Sequence, residues 1–191
     1  MKQINDTTRC SWAKSKSYQE YHDNEWGKVI HNDNYLFELL CLETQSVGLG
    51  FGVILAKRKA YQTCFDFKNI QKISLLQDDE IDFILKNFNV LKNKPKINAI
   101  VANANAYLKL VKQYHSLDNF LWSKSNFSSI NTPIGTTSNQ LSIEISCELK
   151  KYGFKFIGPT IVYSYLEAIG VIVAKHEPNC FLAKMRQFKN C

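Results

Sequence analysis

Four side chains with metal-ligand chemistry stand near the two ends of this chain. Cys10 and His22 fall in RCSWAKSKSYQEYH, and His176 and Cys180 in HEPNC. The H-x3-C spacing suits two ligands carried by one turn onto one tetrahedral zinc ion. The Cys10–His22 separation is loose and means little alone. Together the four make a Cys2His2 set, the composition of a closed structural site rather than an open catalytic one. Two free cysteines and two surface histidines account for the same residues. Cys41, Cys64 and Cys147 fall on apolar helical faces and read as buried small hydrophobes, while Cys191 ends the chain.

A second group combines aromatics with one carboxylate. Trp12, Tyr18, Tyr21 and Trp26 lie within 15 positions, three of them in or beside YHDNEWG. Glu43 then interrupts an otherwise apolar run, in CLETQSVGLGFG. A buried, unpaired carboxylate is expensive, so Glu43 needs a partner or a ligand. Gly48, Gly50 and Gly52 follow at alternate positions and allow sharp turns and close backbone approach. Aromatic walls around one acceptor carboxylate suit a flat, electron-poor heterocycle. A Glu43 that caps a neighbouring helix, with aromatics filling core, is the plainer reading.

The third group is a basic turn, Phe88 to Ile97, of sequence FNVLKNKPKI. Asn89 tolerates a left-handed backbone and can turn the chain sharply. Val90 and Leu91 tuck inward, and Lys92, Lys94 and Lys96 are expected to ring the turn. Free amides at the following helix start, beside three lysines, fit a phosphate. An exposed turn with solubilising lysines fits them too. The charge distribution leans toward a polyanion. Residues 57–112 hold 11 basic and 5 acidic side chains, residues 1–56 hold 5 and 7, and residues 113–191 hold 8 and 5.

The elements that must hold these groups are helical almost throughout. Leu36, Phe37, Leu39, Leu40 and Leu42 follow a buried helix face, with Asp33 or Asn34 as cap. Val53 to Phe65 continues in that style. Asp78, Asp79 and Glu80 place acids in the first turn of a helix carrying Ile81, Ile84, Leu85 and Phe88. Pro95 suits the first turn of the next, whose stripe runs Ile97, Ile100, Val101, Ala104, Leu108 and Val111. Ser138 to Tyr152 predicts an amphipathic helix with Gly153 as C-cap. Pro159 starts a last helix expected to reach about Val173. The polar stretch Ser123 to Thr137 predicts the one long loop, and no strand pair is evident.

The expected fold is therefore an all-α bundle in a single domain over 1–191. A helical bundle over 33–175 carries the hairpin at 88–97. Residues 9–32 plus 176–182 form a terminal sub-lobe, zinc-linked if the four ligands meet. The 191 residues, 45% apolar and 21% charged, exclude disordered and low-complexity classes. A chain of this length buries roughly 70% of its unfolded surface and needs no staples. The longest apolar stretch, Ile169 to Ala174, falls far short of the roughly 20 residues that span a membrane. Met1 to Arg9 carries no apolar signal core, so a cytoplasmic location with reduced thiols is expected.

In this order, the motifs resemble the bacterial 3-methyladenine DNA glycosylase I family. The matching stretches are RCxW (Arg9 to Trp12), YHDNEWG (Tyr21 to Gly27), LFELLCLE (Leu36 to Glu43) and the Gly48-Leu49 pair. KIxAIVxNAxAYL (Lys96 to Leu108), FLWS (Phe120 to Ser123), GFKFIGPTIVYSYLEAIG (Gly153 to Gly170) and HxxxC (His176 to Cys180) complete the set. The resemblance implies a helix-hairpin-helix fold and a monofunctional glycosylase acting on double-stranded DNA with alkylated bases; a monomer is expected, since nothing in the sequence suggests an obligate dimer. It implies one structural Zn2+ on Cys10, His22, His176 and Cys180. It places Glu43 as the residue that hydrogen-bonds the extruded base. Tyr21, Trp12, Trp26, Phe51 and Ser46 would surround that base, and Asn89, Lys92, Lys94 and Lys96 would grip the backbone.

The family is recognised as lacking the catalytic aspartate of other helix-hairpin-helix glycosylases. Here Asn98, Asn103 and Asn105 follow the hairpin, with no carboxylate before Asp118. Water attack without a strong general base, and no Schiff-base lysine, are therefore expected. Ser46 and Phe51 stand where the family usually has glutamine and tryptophan. Gly50 and Gly52 replace bulkier residues, which predicts a roomier pocket. Asn89 replaces the usual hairpin glycine, and Val29 a common proline. These departures admit an alternative: a divergent member that binds damaged DNA, or excises another alkylated base with little 3-methyladenine activity.

Overall fold

A computed structural model describes residues 8–184. Ten helices lie wholly within these residues, and residues 181–184 are helical as well. They are α1 (Lys16–Asn24), α2 (Asp33–Gln45), α3 (Phe51–Leu55), α4 (Arg58–Cys64) and α5 (Ile70–Ser74). They continue as α6 (Asp78–Asn87), α7 (Lys94–Tyr114), α8 (Leu117–Ser123), α9 (Gln140–Tyr152) and α10 (Pro159–Ala168). The only strand-like pairing among them is an isolated bridge between Ile130 and Ile172. No described helix is long and apolar enough to cross a membrane.

The central element is α2, buried from Leu36 to Gln45. Its leucines and Phe37 are inaccessible to solvent, and burying each contributes roughly 1.5–3 kcal/mol. The cap is Asn32, whose side chain accepts from the Tyr35 N–H, and not Asp33 or Asn34. Asp33 is instead drawn to the start of α8, where its carboxylate accepts the Leu117 and Asp118 amides at 3.1 and 2.8 Å. Those amides have no partner within α8, so the acid meets the helix's positive end.

α10 packs on α9 and α2, and α7 on α5. Gly153 takes the left-handed C-cap of α9 as expected, with φ 103°. α10 ends at Ala168, short of Val173, because Gly170 (φ 79°) turns the chain and the following residues run extended to Ile130. A Cβ on Gly170 would sit 2.8 Å from the Val29 amide nitrogen. That close approach lets residues 27–30 lie along the end of α10, with Gly27 N–H donating to Ala168 and Ile30 N–H to Ile169. The two termini meet where Phe181 N–H donates to the Thr8 carbonyl.

Of the cysteines read as core, Cys41 is buried and Cys64 half-buried, but Cys147 is exposed. The buried stripe of α9 is Ser142, Ile145, Ser146 and Leu149, which turns Cys147 outward. Cys191 lies outside the described residues.

Candidate active site and metal centre

A cavity of about 320 Å³ opens between α1, α2, α3 and α10. This is the low end of the range for ligand pockets and suits one flat heterocycle. Its walls are aromatic. Trp12 meets Tyr18 and Trp26 edge-on, each at 5.0 Å between ring centroids. Phe51 tilts against Tyr21 at 5.4 Å. Trp12, Tyr21, Trp26, Glu43, Ser46 and Phe51 thus all line one cavity.

Ser46 lines the cavity while its hydroxyl donates to the Glu43 carbonyl at 2.8 Å, closing the end of α2. Gly52 does not loosen the pocket, since a Cβ there would lie 2.7 Å from the Tyr18 ring. The missing side chain is what admits Tyr18 to the wall.

Glu43 reaches the cavity from the last turn of α2 and is only 4% exposed. No described residue donates a hydrogen bond to its carboxylate, and burial followed by the charge of Glu167 pushes it up to about 8. Glu167, on α10, lines the same cavity, and burial pushes it up to about 7 against the pull of Lys175. Burial, then the charge of Glu43, also raises the phenols of Tyr18 and Tyr21. Both phenols therefore stay protonated as donors. The cavity so combines two carboxylates with electron-rich faces, an environment that favours a cation. Sequence reading missed Ile161, Ser164 and Glu167. Glu167 alone carried a signal, as an acid in an apolar helix.

Behind the aromatic wall, Cys10, His22, His176 and Cys180 converge, with all ligand atoms within 4.8 Å of one another. Cys180 Sγ lies 3.4 Å from His22 Nε2 and 3.6 Å from His176 Nδ1. Cys10 Sγ is 3.6 Å from His176 Nδ1, which is 3.2 Å from His22 Nε2. Bonds of about 2.3 Å to sulfur and about 2.0 Å to nitrogen put neighbouring donors of a tetrahedral zinc roughly 3.3–3.8 Å apart. The donor set therefore fits such an ion. His22 Nδ1 pairs with Asp23 Oδ1 at 2.8 Å, which turns Nε2 toward the cluster. Arg9 holds Asp23 in turn, through Nη2 at 2.7 Å. Trp12 stacks edge-on to His22 at 5.1 Å and Trp26 to His176 at 5.0 Å, so the cluster backs two pocket walls.

The hairpin departs from expectation. Asn89 does not adopt a left-handed backbone; its side chain accepts from Lys57 Nζ at 2.5 Å. Lys92 is exposed, but its ammonium donates to the Leu85 and Phe88 carbonyls, closing α6. Lys94 bridges Asp78 and Asp82 at 2.8 and 2.6 Å. Lys96 does not ring the turn. It is buried and donates to the carbonyls of Gln45 and Val47 at 2.9 and 2.5 Å. As the third residue of α7, it faces the end of α2, whose carbonyls lack partners. Pro95 occupies the first turn of α7, as expected, and Asn93 caps that helix.

Comparison with known proteins agrees with this arrangement. The sequence matches the methyladenine glycosylase family over residues 12–183. It is 36% identical over 170 residues to DNA-3-methyladenine glycosylase 1 of Escherichia coli K12, covering 86% of this chain and 91% of that protein. It is also 36% identical over 172 residues to the DNA-3-methyladenine glycosylase of Haemophilus influenzae, covering 87% and 93%. A solved structure of 3-methyladenine DNA glycosylase I from Staphylococcus aureus, described for its recognition of 3-methyladenine, superposes with TM-score 0.86 at 34% identity. It covers 92% of this chain and 96% of that one. The chain belongs to the methyladenine glycosylase family.

Proposed function

We propose that this protein is a monofunctional DNA glycosylase that hydrolyses the N-glycosidic bond of 3-methyladenine in alkylated DNA. The observation that carries the reading is Glu43, a nearly buried carboxylate without a described donor, inside an aromatic cavity of base size. An enzyme acting on a base takes it out of the stack and reads its edge. In the flipped position the base lies among Trp12, Tyr21, Trp26 and Phe51, with Glu43 accepting hydrogen bonds from its edge.

The chemistry follows from the charge on the substrate. N3-alkylation makes adenine cationic, so the base departs as a neutral molecule and needs no strong general acid. The electron-rich walls and Glu43 favour that cation over neutral adenine. Water then attacks an oxocarbenium-like sugar. Asn103, on the helix after the hairpin, is buried and holds the Lys155 backbone amide at 2.7 Å. Asp118 pairs with His31 at 2.9 Å. No described lysine lines the cavity, in keeping with hydrolysis rather than Schiff-base chemistry.

The proposal extends to the metal and the DNA. Cys10, His22, His176 and Cys180 would hold one structural Zn2+, with Asp23 orienting His22. All four positions are taken by protein, so the ion would supply no open site for chemistry. The turn from Asn89 to Lys94, with Lys57 and Lys92, would meet the DNA backbone. Lysines and backbone amides at such a turn contact phosphate oxygens and fix the protein's position on the duplex.

Incubation with methylated duplex DNA, followed by chromatography of the released bases, tests the activity. Release of 3-methyladenine well above the uncatalysed background is expected. DNA binding without release would favour the damage-binding alternative.

A further inference from the structure

We propose that Glu167 is a second base-contacting residue of this pocket, acting with Glu43 to select a cationic purine over a neutral one. The proposal rests on the glycosylase reading above. Ile161, Ser164 and Glu167 recur every three residues along α10 and form the stripe that faces the cavity. Glu43 arrives from α2, which packs against α10. Two helices therefore deliver two carboxylates to one aromatic cavity of about 320 Å³.

A stable core gains nothing from this pairing. Burying carboxylates together is costly unless donors or a cation compensate them. No described residue donates a hydrogen bond to either group, and neither has a sealed, unpartnered oxygen. Their oxygens thus open into the cavity. The groups facing the pair are few. Tyr18 and Tyr21 of α1 stand against Glu43, with the Glu25–Arg58 ion pair beyond Tyr21. Lys175, bound to the Thr132 carbonyl, acts on Glu167. None of these neutralises both acids.

A monocationic purine supplies what is missing. Near neutral pH, repulsion and burial hold a proton on the pair. Entry of a cation compensates the charge and releases that proton, whereas neutral adenine offers no such gain. The two carboxylates therefore act as a filter for positive charge, over and above the aromatic faces.

The test compares wild type with the isosteric Glu167→Gln. Single-turnover release of 3-methyladenine from methylated DNA is followed between about pH 5.5 and 8.5. The cation 3,9-dimethyladeninium and neutral adenine are titrated in parallel, using fluorescence of the pocket tryptophans. Glu167→Gln should lower kcat/KM and affinity for the cation roughly 5–10-fold, with affinity for adenine little changed. It should also move the rising limb of the pH profile to lower pH, because Glu43 loses a like-charged neighbour. A melting temperature no lower than that of wild type checks that the fold survives. Wild-type kcat/KM and cation affinity in Glu167→Gln overturn the proposal, whether or not the pH limb moves. If wild type releases no 3-methyladenine, the glycosylase reading fails instead. The two purine titrations then still decide whether Glu167 selects a cation.

Discussion

The ammonium of Lys96 donates to the carbonyl of Val47 at 2.5 Å, joining the first turn of the hairpin helix to the wall of the base cavity. The same group accepts no role at the surface, since Lys96 is buried and burial lowers its pKa. Lys96→Met should therefore cost about 2 kcal/mol by leaving the Gln45 and Val47 carbonyls without their donor. Urea denaturation measures this. Affinity for 3-methyladenine should fall with it. The slope of log K for DNA against log salt should stay unchanged. A phosphate contact would reduce that slope by about one.

Glu43 makes stability depend on pH. Its ordinary value of 4.5 rises to about 8 in the folded protein, so the native state binds the proton more tightly than the unfolded chain. The contribution is complete below the unfolded value and disappears as pH climbs through the folded one. The cost of the ionised group is on the order of 5 kcal/mol. Glu43→Gln should then match wild type near about pH 4 and be clearly more stable near about pH 9, while binding 3-methyladenine less well. Equal stability differences at the two pH values would remove the buried-carboxylate assignment.

Freshly purified protein should contain one zinc per chain by elemental analysis. Cys180→Ser should lower both zinc content and melting temperature. Because His22 and His176 back Trp12 and Trp26, it should also weaken base binding without any change at the pocket itself. Asp23→Asn keeps all four ligands and should lower metal affinity roughly 10–100-fold. Protein that purifies metal-free and fully folded contradicts the site.

Gly52→Ala tests the opposite wall. The new methyl group would meet the Tyr18 ring at 2.7 Å and displace it from the cavity. Overpacking of this kind costs about 1–3 kcal/mol. The larger effect should be on base affinity, read by fluorescence titration. An unchanged affinity would show that Tyr18 is no part of the wall.

Periodicity made the helices legible, and α2 in particular, because its leucines and Phe37 form a nearly complete apolar face beside which Glu43 stands out. Glu167 carries the same signal in α10. Near the end of a helix, however, an acid also fits a solvated last turn, and only packing of α10 against α2 decides. Lysine spacing misled for a geometric reason. Lys92 and Lys94 precede or begin α7, but Lys96 is already helical and is turned toward α2. Residue type alone does not report that rotation. Val47 gave no signal at all, since a loop residue of this kind lines the cavity through backbone path rather than chemistry. The two cysteines and two histidines of the cluster were legible as types. Their meeting across 166 residues, from Cys10 to His176, depended on the whole bundle.

That meeting of the ends has a consequence for how the protein is made. Trp12 and Trp26 rest on His22 and on His176, which follows His22 by 154 residues and is synthesised after all ten helices named above. Closing so long a loop carries an entropic cost that only the finished bundle can offset. The helices can pack as they emerge, but the cavity acquires its full wall only once His176 is present. A chain ending before His176 would thus carry the hairpin at 88–97 without a finished pocket.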